Sequence, residues 1–459
     1  MAIEKKPRNL IPEQDPAVRA HNFDEVAVGF DLNLARDEAS RCLRCAAAPC
    51  MKGCPVGVRI PEFLAKVREG KIEEAGEIIK STNSLPSVCG RVCPQENQCE
   101  KMCVRARIDG AVSIGGVERF VGDYMLSVPA KNAAPESIGK RVAVVGSGPS
   151  GLTCASQLAA AGVEVTVYEA FHKTGGVLVY GIPEFRLPKS LVGKEVDKIA
   201  EQGVKFVTNA VIGKTITVPE LLAEYDAVFI GSGAGLPMFM GIPGENLNGV
   251  FSANEFLTRV NLMGAYRENA ITPVQKGRRV AVIGAGNVAM DAARTALRLG
   301  AESVTVVYRR GREEMPARGE EIRHAEQEGI KFELLTNPVE MLGEDGKVNA
   351  LKCIRMELGE PDASGRRSPK PIEGSEFILP ADTVIVSLGT SPNPLIKDSF
   401  PELKTERKGV LVVDDDMMTS VDGVYAGGDA VTGAATVILA MGAGRKAAKA
   451  ILDRFNGEK

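Results

Sequence analysis

Eight of the ten cysteines fall between Cys42 and Cys103, in two sets. The first runs Cys42-x2-Cys45-x4-Cys50-x3-Cys54-Pro55, and the second Cys89-x3-Cys93-Pro94-x5-Cys99-x3-Cys103. Clustered thiolates are soft metal ligands, and zinc and iron–sulfur clusters are the two chemistries they serve best here. Zinc sites usually pair two short knuckles. Longer x4 and x5 gaps and two Cys-Pro steps dominate instead, the style of closely packed cysteines ending in Cys-Pro that holds iron–sulfur clusters. Two interleaved sets predict two clusters, with zinc the alternative. Spacing alone leaves Cys89 open as a ligand.

A second kind of chemistry comes from glycine. Lys140–Gly151 reads KRVAVVGSGPSG: a buried strand over Val142–Val145, then the turn Gly146-Ser147-Gly148-Pro149-Ser150-Gly151. In such a turn the first glycine permits the tight bend and the second lets backbone approach a pyrophosphate. The third lets helix and strand pack, and the helix N-terminus offers its N–H groups to phosphate. A helix over Leu152–Ala161 and a strand over Val163–Tyr168 follow, and Glu169 stands where a carboxylate can hold ribose hydroxyls. The pattern recurs at Arg279–Ala289, RVAVIGAGNVA, with Gly284, Gly286, Asn287 and Val288 in the turn. A helix to Leu299 and a strand over Ser303–Tyr308 come next. Aligning Tyr168 with Tyr308 puts Arg309 where the first half has Glu169. Arg310 and Arg312 add charge beside it. A carboxylate suits a free ribose hydroxyl and an arginine a 2′-phosphate, so FAD is expected at the first turn and NADPH at the second.

The elements that position these groups follow from the rest of the chain. The 459 residues suffice for about three domains. Ile60–Ser81 has helical periodicity with a break near Gly70, so the cysteines belong to a separate helical unit. Pro129–Gly139 reads as a polar linker. Gly175-Gly176 and the following YGIPEFRLP are too broken by Gly and Pro for regular structure. Val228–Gly235 and Val384–Asn393 are strand-and-glycine turns that close each half. Near the end, a strand runs into Gly427-Gly428-Asp429, and an Ala/Gly-rich helix starts near Ala435 and Thr436. The expected fold is α/β: two Rossmann-like dinucleotide-binding domains preceded by an α-helical iron–sulfur domain. Boundaries are set at 1–137 for the cysteine domain, 138–239 with 392–459 for FAD, and an inserted 240–391 for NADPH. A net charge of −3 gives no support for a nucleic-acid partner. No run of 18 apolar residues predicts a membrane span, and the N-terminus lacks a secretory apolar core. Both features point to the cytoplasm. His21, His172 and His324 show no ligand or triad spacing, and no acid–base catalytic residue stands out.

The stretches RCLRCAAAPCMKGCPVGVRIPEF, GRVCPQENQCEKMC, GVLVYGIPEFRLPK, GAGNVAMDAARTA, YRRGREEMPA and GGDAVTGAATVILAMGAGRKAA carry a family resemblance. The chain resembles the small subunit of NADPH-dependent glutamate synthase. It is also similar to the N-terminal half of dihydropyrimidine dehydrogenase and to the large subunit of NADH-dependent ferredoxin:NADP oxidoreductase. The resemblance implies one 4Fe-4S cluster on Cys42, Cys45, Cys50 and Cys103. A second would sit on Cys54, Cys93, Cys99 and Glu118, leaving Cys89 surplus. It places Gly175, Gly176, Gly428, Asp429 and Thr436 along the flavin. Arg186 and Glu184 either join them or pair with each other on the surface. The implied activity is passage of electrons between NADP(H), FAD and the clusters to a partner. That partner is a glutamate synthase large subunit or, in an electron-bifurcating enzyme, a small flavin subunit together with ferredoxin. A metal-binding interaction subunit without turnover is the alternative of another class.

Overall fold

The computed structural model describes residues 5–129, 135–363 and 365–457. The predicted linker therefore lies partly outside the described residues, at 130–134. In the cysteine region α1 (Leu32–Ser40) starts at Asp31, whose carboxylate accepts from the Leu34 N–H at 2.8 Å. The predicted Ile60–Ser81 run is two helices, α2 (Ile60–Glu69) and α3 (Ile72–Lys80). Gly70, at φ +81°, ends the first in the left-handed conformation that turns the chain. Two further helices, α4 (Pro86–Val92) and α5 (Ile114–Ser127), complete the bundle. Their core does not stop at the unit's edge. Phe63, Leu64, Val88 and Val121 belong to one apolar cluster with Leu152, Leu158, Met441 and Ile451 from the unit that follows. The cysteine region is thus fused to its neighbour, against the separate unit expected.

The first glycine turn lies in an all-parallel five-stranded sheet. Its strands are β1 (Arg141–Val145), β2 (Glu164–Tyr168), β3 (Lys205–Val207) and β4 (Ala227–Ile230), with one more from the end of the chain. Helix α6 (Pro149–Ala160) crosses from β1 to β2, and α7 (Lys189–Ala200) precedes β3.

A second all-parallel sheet follows the same plan. Its order is β5 (Val250–Ser252), β13 (Thr383–Val386), β6 (Arg279–Ile283), β7 (Ser303–Tyr308), β8 (Lys331–Leu334). Helices α8 (Ala253–Asn261), α9 (Asn287–Arg298) and α10 (Gly319–Gln327) cover it. Between β8 and β13 lies a four-stranded sheet that the sequence reading did not foresee. It comprises β9 (Thr336–Glu344), β10 (Lys347–Pro361), β11 (Arg367–Pro371) and β12 (Phe377–Pro380), with β10 pairing antiparallel to each of the other three. The chain then returns to the first sheet, where β14 (Val424–Ala426) pairs with β4, and ends in α11 (Val437–Phe455). Where it leaves and re-enters, Leu236–Pro237 pairs antiparallel with Thr390–Ser391.

Candidate functional sites

Two buried arginines bring the first cysteine set together. Arg41, at the end of α1, donates to the carbonyls of Gly110 (2.7 Å) and Ala111 (3.0 Å) and pairs with Glu38 at 2.7 Å. Arg105 donates back to the Arg41 carbonyl at 2.5 Å. These bonds carry Cys103 to Cys42, and Cys42, Cys45, Cys50 and Cys103 line one pocket with Leu64, Val104 and Ile114. The loop between them bends through left-handed residues, Arg44 at φ +49° and Ala48 at φ +38°. Burial raises the Cys42 thiol and pushes Cys50 up to about 11, while backbone N–H groups of Arg44 and Met51 donate to the two sulfurs.

The second set lies deeper. Cys93 and Cys99 are buried, as is Glu118 on α5, whose carboxyl burial pushes up to about 7. Asn83 alone donates to it, at 2.8 Å. Cys54 and Cys99 both sense the Glu118 charge. Cys89 lies in the same place, with its Sγ 3.6 Å from Asn83 Oδ1 and 3.5 Å from the Met441 sulfur on α11. A single zinc ion needs its sulfurs about 3.8 Å apart, from Zn–S bonds of about 2.3 Å in a tetrahedron. Among the described residues only Glu13, Glu320 and His324 bring three such ligand atoms within 4.8 Å of one another. No three cysteine sulfurs do, so both sets are spread for a cluster. A carboxylate buried on one hydrogen bond suits a cationic iron beside it.

At the first glycine turn the predicted residues converge. A Cβ on Gly151 would meet the Gly146 carbonyl oxygen at 2.0 Å, so only glycine lets α6 start against the turn. The Gly175–Gly176 loop comes back onto it: a Cβ on Gly176 would lie 2.8 Å from Gly148 Cα. Ser147, which the sequence reading passed over, is the tie. Its Oγ donates to Glu169 Oε2 at 2.5 Å and accepts the Gly175 N–H at 2.9 Å. Glu169 also accepts from the Phe171 N–H. Gly428 packs on Ser150, and Asp429 accepts from the Ala435 N–H at 3.2 Å. Thr436 caps α11. Burial pushes the Tyr180 hydroxyl up to about 12, helped by the charges of Asp429 and Glu169, so the three face a common space. The buried Ser150 Oγ has no hydrogen-bond partner at the N-terminus of α6, among Pro149, Ser150 and Gly151. An orphan hydroxyl beside helix N–H groups is what a bound pyrophosphate satisfies.

The second turn is more open. Gly284 takes φ +122°, Gly286 caps α9, and Val288 is 48% exposed. Asn287 Oδ1 accepts the Arg318 N–H at 2.9 Å, folding the 316–318 loop beside the turn.

Three expectations change here. Val145 pairs with Tyr168, whereas the equivalent Ile283 pairs with Val307. The residue in Glu169's place is therefore Tyr308, whose hydroxyl donates to the Glu314 carbonyl, and Arg309 stands one step further out. Arg309 is exposed, with no side-chain bond or ion pair among the described residues. Arg310 is not available to a nucleotide as expected. It is buried, with Nη2 2.6 Å from Asp362 and Nε donating to the Arg367 carbonyl, so its guanidinium ties β7 to the antiparallel sheet. Arg312 pairs with Glu326 at 2.6 Å. Arg186 turns away from the flavin turn and from Glu184. Its Nη1 lies 2.7 Å from Asp291 on α9 and its Nε 2.8 Å from Glu321 on α10. Glu184 instead accepts the Lys189 N–H, and Lys189, buried and pushed down to about 7 by that burial, donates to the carbonyls of Ile182 and Leu187. The Gly/Pro-broken stretch is held by its own lysine.

Comparison with known proteins agrees with this layout. A family model described as dihydropyrimidine dehydrogenase domain II, 4Fe-4S cluster, matches residues 19–129. One described as pyridine nucleotide-disulphide oxidoreductase matches residues 140–444. The chain is 40% identical to the glutamate synthase (NADPH) small chain of Azospirillum brasilense, over 96% of this chain and 93% of that protein. It is 37% identical to the Escherichia coli K12 small chain, over 96% of each. The NADP(+)-dependent formate dehydrogenase subunit beta of Moorella thermoacetica shares 40% identity over 88% of this chain and 59% of its own length. In fold, Mycobacterium tuberculosis FprA in complex with NADPH superposes with a TM-score of 0.59 at 23% identity, covering 69% of this chain and 85% of that one. Among the described residues no helix is long and apolar enough to cross a membrane. The cofactors of such proteins are FAD, NADPH and 4Fe-4S centres, and the residues gathered at the two turns and the two cysteine sets fit them. The chain belongs to the pyridine nucleotide-disulphide oxidoreductase family, as an NADPH-linked flavoprotein oxidoreductase fused to a 4Fe-4S domain of the dihydropyrimidine dehydrogenase type.

Proposed function

We propose that this chain is the NADP(H)-facing subunit of a larger cytoplasmic redox assembly, moving electrons between NADP(H) and a partner redox subunit in the manner of a glutamate synthase small chain. Residues 1–137, 138–239 with 392–459, and 240–391 are taken as its three functional units. One 4Fe-4S cluster would sit on Cys42, Cys45, Cys50 and Cys103, the other on Cys54, Cys93, Cys99 and Glu118. FAD would lie along Gly146–Gly151, Glu169, Gly175, Gly176, Gly428, Asp429 and Thr436, and NADPH along Gly284–Val288 with Arg309. When bound, the nicotinamide and flavin exchange hydride and the clusters pass single electrons.

What the chain itself contributes is placement. Ser147 fixes Glu169 and the Gly175 loop at one distance from the α6 N-terminus. Tyr180 and Asp429 close the same space and shield it from water. The observation that carries the reading is the contact of Cys89 with Met441. It sets the deeper cysteine site against α11, whose N-terminus closes the first glycine turn, while the other cysteine site faces outward. Entry, interior and exit then lie in sequence.

Anaerobic purification tests this: one FAD and about eight irons per chain are expected, from two four-iron clusters. Zinc without iron, and no broad visible absorption beside the flavin bands, overturns it. A second reading, the large subunit of an electron-bifurcating NADH-dependent ferredoxin:NADP oxidoreductase, is favoured by one feature, the buried Glu118. The subunit that co-purifies with the native chain separates the two.

A further inference from the structure

We propose that the exposed face over Cys42, Cys45, Cys50 and Cys103 docks an electron-carrying protein whose redox centre lies in an acidic surface. This rests on the reading above that these four sulfurs hold a cluster.

Two segments, 42–54 and 99–108, supply the sulfurs and the face around them. Among their charged residues, Arg44, Lys52, Lys101 and Arg107 are exposed, and none has an ion-pair partner among the described residues. Only one acid occurs on the two segments, Glu100. It is buried, and Arg8 holds it at 2.7 Å. On the adjoining helix Glu62 is already paired with Arg59. Four uncompensated cations therefore surround one site, in a chain whose net charge is −3. Elsewhere the surface pairs its charges, as in Arg278–Glu302, Lys449–Asp453 and Arg454–Asp422.

Between the cations the face is apolar. Met102 is 45% and Val104 41% exposed, and Ala46 and Ala47 stand open beside them. Val104 and Cys103 line the cysteine pocket itself, so anything that covers this patch comes directly over the sulfurs. An apolar centre with a charged rim is the anatomy of an interface, and charges of one sign steer a partner of the other. A small patch suits a brief encounter, as electron carriers require. One electron crosses at each encounter. Two encounters remove the two electrons of one NADPH, leaving NADP+ and a proton.

The test uses the whole chain, loaded with iron and flavin, and a dithionite-reduced acidic bacterial ferredoxin as probe. In stopped flow its reoxidation should be fast at low ionic strength and fall steeply with salt. The triple variant Lys52→Glu, Lys101→Glu, Arg107→Glu should slow it by about ten- to a hundredfold and flatten the salt dependence. Iron content and the rate of flavin reduction by NADPH should not change. If that variant loses iron, the glutamine triple variant replaces it, with a smaller loss in the same direction expected. Ferredoxin reoxidation indifferent to both charge and salt, in a chain that keeps its iron, overturns the docking face alone. Charge reversal that instead dissolves a dimer in sedimentation assigns the face to a second copy and also overturns it. A wild-type chain without iron at this site removes the underlying reading, an outcome the iron analysis distinguishes.

Discussion

Each kind of site occurs twice, once inside and once at the surface. Glu169 at the first glycine turn is 5% exposed and fully hydrogen-bonded, while Arg309 near the second is exposed and free. Cys93, Cys99 and Glu118 are buried, while Cys42, Cys45, Cys50 and Cys103 all retain some exposure. The interior members are finished, with their polar groups satisfied by the protein or waiting on a resident group. The exterior members keep unspent charge. A group that stays needs enclosure, and a molecule that comes and goes needs a vacant, charged landing place. The contrast separates resident cofactors from exchanging partners without reference to sequence motifs.

The largest effect should come from filling the inner turn. Gly151→Val drives its side chain into the Gly146 carbonyl, and the purified chain should carry iron but no FAD, read from its visible spectrum. Retained flavin would mean that this turn is not the resident site. At the outer turn, Arg309→Ala removes a charge-assisted bond worth roughly 1.5–3 kcal/mol, so kcat/KM for NADPH should fall by about one to two decades. NADH should be nearly unaffected in the same stopped-flow flavin bleaching. Equal losses for both nucleotides would place specificity elsewhere. Arg310→Ala breaks its link to the partly exposed Asp362 and should cost about 1–2 kcal/mol of stability. Thermal denaturation should register this while the NADPH to NADH preference stays put. The smallest effect is expected of Cys89→Ser, with both clusters kept, against Cys54→Ser, which should lose one. Iron analysis on the pair decides whether Cys89 or Glu118 completes the inner site.

Much of this was readable from short-range pattern. A strand, a glycine turn and a helix sit within a dozen residues, and the physics that requires each glycine is local. The cysteine spacings likewise announced a metal unit. What escaped were relations across long separations. Arg186 and Arg310 carry the right charge in the right stretch, yet Asp291 and Asp362 claim them from 105 and 52 positions away. The equivalence of Glu169 and Arg309 failed by one residue, because β7 runs one residue longer than β2 and only strand register reveals it. The apolar faces of α4 and α5 were legible as core but not as core shared with α6 and α11. The antiparallel sheet was missed because β9 to β12 alternate weakly and carry prolines.

The destination of Arg186 bears on how stiff the assembly is. Its two carboxylate partners sit on helices of the second dinucleotide unit, while Arg186 itself belongs to the first. Nearby, Phe185 lies under the guanidinium groups of Arg294 (4.8 Å) and Arg298 (3.9 Å), and Arg318 reaches across to Gln95 of the cysteine unit at 3.1 Å. Twisting the second unit about its two connecting strands would strand several charges in a poorly polarisable interior, at several kcal/mol each. Torsion about that crossing is therefore locked, and the nicotinamide must find the flavin in a frame that does not swing.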